Sequence, residues 1–105
     1  MRMILKVSIP TDTGNAAIAS GALQSTIQTC LKDLKAEAAY FAEDDGVRTG
    51  YIFFDMTDSS QLPAVAEPWF LAFNARVTVR PAMNLEDLMK AGPGIEKAVK
   101  AFGGK

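Results

Sequence analysis

Alternation of apolar and polar positions marks the first element. In Arg2–Ile9 the odd positions Met3, Leu5, Val7 and Ile9 are all apolar, while Ile4, Lys6 and Ser8 are mixed. A period of two with one apolar face predicts a strand lying on a core, and Pro10 ends it because proline donates no ladder hydrogen bond. The period then changes. Leu23, Ile27, Leu31 and Leu34 recur at helical spacing and line one side. A helical segment is predicted over 12–35, capped by Asp12 or Thr13. Ser20-Gly21 divides it, since glycine costs about 1 kcal/mol against alanine inside a helix.

Two strands follow, over 36–42 and 47–56, around Glu43-Asp44-Asp45-Gly46. Asp-Gly is a preferred centre of a two-residue hairpin turn, where both positions take positive φ. That turn sets Asp44 opposite Val47, Tyr40 opposite Tyr51, Phe41 opposite Gly50 and Ala38 opposite Phe53. A slightly longer loop slides the pairing by two and leaves the faces unchanged. Residues 59–73 return to helical spacing, with Asp58 or Ser59 as cap and Leu62, Val65, Ala66, Trp69, Phe70 and Phe73 on the apolar side. Pro63 fits a first turn, whereas Pro68 predicts a kink or break at Glu67-Pro68. A strand over 75–80 turns Val77 and Val79 inward and ends at Pro81. A helical tail closes the chain. Asn84 caps it, Asp87 completes a capping box, and Gly92-Pro93-Gly94 interrupts it before a last amphipathic turn or two.

This order describes one α+β domain over 1–105, a ferredoxin-like βαββαβ fold with a C-terminal helical tail. Its four strands form an antiparallel sheet in the order 4-1-3-2, and both helices cover one face. The covered face takes Met3, Leu5, Val7, Ile52, Phe54, Val77 and Val79. The open face receives Ile4, Lys6, Ser8, Tyr40, Thr49, Tyr51, Phe53, Asp55, Arg76, Thr78 and Arg80. A monomer rarely leaves an apolar patch of this kind uncovered. A second copy packed face to face would cover it and enclose a space with polar groups at chosen points.

Composition removes several kinds of chemistry. The chain has no His and a single cysteine, Cys30. A Ser-His-Asp triad, a His-ligated zinc, an internal disulfide and a thiolate metal cluster are therefore excluded. No cofactor is expected. Eleven Lys+Arg against 12 Asp+Glu give a net charge of −1, which argues against a general nucleic-acid binder. No apolar run approaches the roughly 20 residues of a membrane span. The first residues carry charge inside their apolar stretch and lack a signal-peptide core, so a cytoplasmic location is expected.

With its element order, its lack of His and its half-polar sheet face, the chain resembles the dimeric α+β barrel superfamily. That group includes muconolactone isomerase-like proteins and small cofactor-independent monooxygenases. The stretch Arg76-Val77-Thr78-Val79-Arg80-Pro81-Ala82-Met83-Asn84-Leu85-Glu86-Asp87-Leu88 resembles the end of such domains, where a last strand runs through a proline into a capped helix. The resemblance covers nearly the whole chain as topology and carries no catalytic motif. It implies a dimer and not a reaction; members that need His offer no activity to carry over.

Six open-face residues are the candidate ligand-binding set: Lys6, Tyr40, Tyr51, Asp55, Arg76 and Arg80. Asp55 and Arg80, with Arg2 or Lys6, are expected to gather at one sheet end as an anion-binding or acid–base corner, or as a structural ion-pair network. Lys6 could meet a substrate carboxylate or pair across a dimer interface. Tyr40 and Tyr51 could offer hydroxyls, or act only as a cross-strand aromatic pair. A break at Pro68 would aim Glu67 into a cavity; otherwise Trp69 is simply core. Cys30 reads as a small packing residue, and Glu43-Asp44-Asp45 as a solvated turn. The leading function is a homodimer enclosing a pocket for an anionic or oxygen-rich small molecule, such as a cofactor-free isomerase or monooxygenase-like enzyme. The alternative is a non-catalytic dimerisation or binding module with no enclosed site. An RNA-binding reading is weaker, because Tyr51 and Phe53 lie on one strand inside a chain of net charge −1.

Overall fold

A computed structural model describes residues 1–104. The elements run β1 (Arg2–Ile9), α1 (Thr11–Ser20), α2 (Ala22–Leu34), β2 (Ala38–Asp44), β3 (Val47–Asp55), a 3₁₀ turn (Ser59–Gln61), α3 (Leu62–Phe73), β4 (Arg76–Pro81), α4 (Leu85–Lys90) and α5 (Gly92–Phe102). The four strands form one antiparallel sheet in the order β2-β3-β1-β4. This is the expected order read from the other edge. Among the described residues no helix is long and apolar enough to cross a membrane.

The period of two in β1 becomes strict burial of Met3, Leu5, Val7 and Ile9. They meet Ile52 and Phe54 of β3 and Val65, Trp69 and Phe73 of α3 in one core. Burying such side chains is the main source of stability, at about 1.5–3 kcal/mol each. Both sides of β1 are paired. Leu5 stands between Ile52 and Val79, and Lys6 between Tyr51 and Thr78. Cys30 is buried and packs within the same core, as its helical position predicted.

Several local expectations are corrected. Neither Asp12 nor Thr13 caps α1, whose N-cap is Pro10. Asp12 instead accepts the Thr13 N–H at 2.7 Å, and the Thr13 hydroxyl donates to the Phe73 carbonyl at 2.6 Å. That second bond ties the start of α1 to the end of α3, so tertiary packing overrides the cap. The helix α3 runs without a break through Pro68. Pro68 is only half-buried, and Val65 and Trp69 hold the segment on the core. Packing of this kind outweighs the one backbone hydrogen bond that proline removes. In the tail, the interruption falls at Ala91, while Gly92-Pro93-Gly94 forms the first turn of α5. A proline in a first turn gives up no hydrogen bond and has a suitable φ. The Asn84–Asp87 capping box is present, as is one between Asp58 and Gln61.

The hairpin takes the two-residue turn. Asp44 faces Val47, and Tyr40 faces Tyr51. Asp45 has φ 54° and Gly46 φ 78°. A side chain at Gly46 would meet nothing within 4 Å, so its cost is confined to the backbone. The Gly46→Val variant is expected to lose about 1–2 kcal/mol of stability, the cost of forcing a β-branched residue into left-handed φ. A chemical denaturation midpoint measures that loss.

Candidate functional site

The open face is built from three aligned rows of four residues, because each strand presents alternate residues to it. One row runs Tyr40, Tyr51, Lys6, Thr78. The next toward the turn is Ala42, Thr49, Ser8, Arg76, and the next toward the other end is Ala38, Phe53, Ile4, Arg80. The faces match the expectation. Lys6, Tyr51, Phe53, Ile4 and Ser8 are half-buried, and Tyr40, on the edge strand β2, is 67 % exposed.

Lys6 is the centre of this surface. Its Nζ lies 2.5 Å from a carboxylate oxygen of Asp44 and 6.0 Å from the centroid of the Tyr51 ring. Asp44 was expected to belong to a solvated turn. It is instead the last residue of β2, half-buried, with its side chain on the open face. The alternation from Tyr40 through Ala42 to Asp44 carried that signal. The Lys6 ammonium holds the Asp44 carboxyl below its ordinary value, by hydrogen bond and by charge, with help from the Tyr51 hydroxyl. In return Asp44 raises Lys6.

The expected corner of Asp55, Arg80 and Arg2 or Lys6 does not form. Asp55 is opposite Arg2, whereas Arg80 is opposite Ile4. With β1 between them, the two side chains start two strand spacings apart, about 10 Å, and are also offset along the strands. Asp55 is exposed and pairs with the Met1 ammonium at 2.7 Å. Arg2 pairs with Glu37 at 2.8 Å and reaches Asp87 of α4 at 3.7 Å. Arg76 and Arg80 are exposed on the edge strand β4 and, among the described residues, have no carboxylate within 4 Å. Thr49 faces the open side but is buried, and its hydroxyl donates to the Val47 carbonyl at 3.0 Å. Glu67 stays on the exposed side of the unbroken α3 and Trp69 lies in the core, so of the two readings the core tryptophan holds.

Of the six candidates, Lys6 and Arg76 border a shared feature. It is an open depression of about 680 Å³ that also includes Ser8, Asp44, Val47 and Thr78. It holds a satisfied ion pair on one side, a free guanidinium on the other and hydroxyls between them. Tyr40, Tyr51, Asp55 and Arg80 lie outside it. Arg76 and Thr78 set a guanidinium and a hydroxyl side by side on its rim. Beyond β4, α4 and α5 project away from the sheet and give the molecule extents of 58 × 29 × 21 Å. From Pro93 onward every described residue of α5 is exposed, including Ile95, Val99 and Phe102, the last at 86 %.

No family model matches the chain, and no curated protein does. Among solved structures, the chain is similar to a formyltetrahydrofolate deformylase from Pseudomonas putida, with a TM-score of 0.50 and 14 % identity. The match covers 78 % of this chain and 29 % of that one, so the chain spans under a third of that protein's length. At that identity the likeness shows the fold alone: a small α+β unit with a four-stranded antiparallel sheet, compatible with the ferredoxin-like βαββαβ type.

Proposed function

We propose that this protein is a homodimer joined through the open sheet face, and that it binds a small anionic or oxygen-rich molecule there without transferring protons to it. The observation that carries this reading is the composition of the face. An apolar centre of Ile4, Tyr51 and Phe53 stands beside Arg76 and Arg80, neither of which has a carboxylate partner among the described residues. Covering the apolar centre favours a second copy. Placing two unneutralised guanidiniums near that interface favours an anion, because burying an unpaired cation costs several kcal/mol. A cytoplasmic setting belongs to the same reading, since the single thiol is buried and free.

Binding is favoured over a cofactor-free isomerase or monooxygenase-like reaction by the state of the central pair. General acid–base catalysis works best with a group that titrates near the working pH. Lys6 and Asp44 are both shifted away from neutrality, each stabilising the other's charge. A second reading, a dimerisation module with no enclosed site, draws on the exposed apolar residues of the tail. Leu85, Met89, Val99 and Phe102 would serve assembly alone.

Sedimentation at micromolar concentration tests the dimer. The wild type is expected to run as a dimer and Tyr51→Glu to shift toward monomer with unchanged far-ultraviolet circular dichroism. Thermal shift tests the ligand class, because a molecule that binds only the folded form raises its stability. Short, hydroxyl-bearing carboxylates without a hydrocarbon tail are expected to stabilise the protein more than matched alcohols or amines, and Arg76→Gln to remove the difference. A monomeric wild type overturns the dimer, and stabilisation by amines alone overturns the anion.

The central pair gives a pH test. The depressed Asp44 carboxyl contributes stability above its ordinary value of 3.8 and loses it as pH falls through the lower folded-state value. The elevated Lys6 contributes below 10.5 and loses it as pH rises through the higher folded-state value. Wild type is therefore expected to melt above Asp44→Asn across neutral pH. The gap should close at both extremes and shrink in high salt, as expected for a pair in contact with water.

A further inference from the structure

The opposite side of the sheet carries a second feature. Near the hairpin an apolar cleft of about 350 Å³ remains between sheet and helices. Val7 and Ile52 of the sheet, Leu23 and Ile27 of α2, Phe41 of β2 and Trp69 of α3 line it. Gly50 shapes the wall. A Cβ there would come within 3.0 Å of the Phe41 ring, so its absence lets the ring lie across β3. Phe41 is nonetheless 52 % exposed. Trp69 is 1 % exposed, and its indole N–H is buried with no acceptor.

Two charged residues border the exposed end of the cleft. Glu43 and Arg48 are directly opposite in the hairpin, yet they do not pair. The Glu43 carboxylate accepts the Gly46 N–H at 2.8 Å. Arg48 turns the other way, over α1, and donates from Nη2 to the Asn15 side-chain oxygen at 2.9 Å. Gly14 makes this possible, because a Cβ there would lie 2.8 Å from Arg48 Nη1. The guanidinium is thus held beside an apolar cleft with no carboxylate on it among the described residues.

We propose that this cleft binds a small carboxylic acid with an apolar body, its carboxylate on Arg48 and its hydrocarbon against Phe41, Ile27 and Trp69. The volume lies in the range of small-molecule sites, about 300–1,000 Å³, and the lining is apolar with few polar groups, as such sites are. Arg48 decides the head group. A guanidinium fork accepts a carboxylate through two parallel, charge-assisted bonds, gives an alcohol one weaker bond and repels an amine. Glu43 opposes the ligand's charge and sets a limit on affinity. This site is separate from the open face, so it stands or falls independently of the anion at Arg76.

Trp69 is the only tryptophan in the chain, and its emission therefore reports on the cleft. Octanoate, octanol and octylamine share one tail and differ in head group. Titration of the full chain is expected to change tryptophan emission saturably with octanoate, about tenfold more tightly than with octanol, with octylamine weakest. Arg48→Gln should bring octanoate to the level of octanol, and Arg48→Lys should restore part of the preference. Glu43→Gln should tighten octanoate, while Arg76→Gln on the open face should leave it unchanged. Equal binding of all three heads overturns the proposal. So does an Arg48→Gln variant that keeps the preference, or an emission that octanoate leaves unmoved.

Discussion

The strand Arg2–Ile9 is hydrogen-bonded on both edges, and its register fixes both faces of the molecule at once. Its odd residues fill the core and its even residues form the middle of the open face. A slip of one residue would bring Leu5 and Val7 to the open side and Lys6 into the core. The free energy of burying four apolar side chains forbids that exchange. Every site position described above inherits this constraint. Tyr51 and Thr78 flank Lys6, and Arg80 is held away from Asp55, because β1 lies between β3 and β4 in this one register.

The two faces differ in how their charges are resolved. On the open face, Lys6 is neutralised by Asp44 and Arg2 by Glu37. These pairs are in contact with water and contribute little to stability. Their larger effect is to leave Arg76 and Arg80 as the open-face cations with no carboxylate partner among the described residues. On the helix face, the opposed pair Glu43 and Arg48 is separated because each side chain has a nearer hydrogen-bonding partner. Gly14 gives the space for Arg48 in that arrangement, and Gly50 the space for the neighbouring Phe41 ring.

The elongated shape leaves apolar surface exposed at a second place, the C-terminal tail. A compact domain of this length has a radius of gyration of about 13 Å, against 17.3 Å here. The difference comes from α4 and α5, tied to the body through the Arg2–Asp87 pair while exposing Ile95, Val99 and Phe102. An amphipathic helix in that state gains stability by packing against another surface.

Local periodicity and turn chemistry determined a large share of this protein. Alternation in Arg2–Ile9 predicted the burial of each residue there. Asp45-Gly46 predicted the turn and, for its two-residue form, the pairing of Tyr40 with Tyr51 and of Asp44 with Val47, while the slide by two left open by a longer loop did not occur. The order of the elements predicted the sheet order. What depends on side chains distant in sequence was decided only by the folded chain. Thr13 caps nothing because the Phe73 carbonyl is within its reach, and Pro68 is tolerated because Val65 and Trp69 are already anchored. Asp44 left the turn for Lys6, and Asp55 took the Met1 ammonium in place of Arg80. A charged side chain chooses the nearest opposite charge in space, and distances across a sheet are set by strand order and register together. The cleft beside Trp69 had no sequence signature, since a void is defined by where packed elements fail to meet.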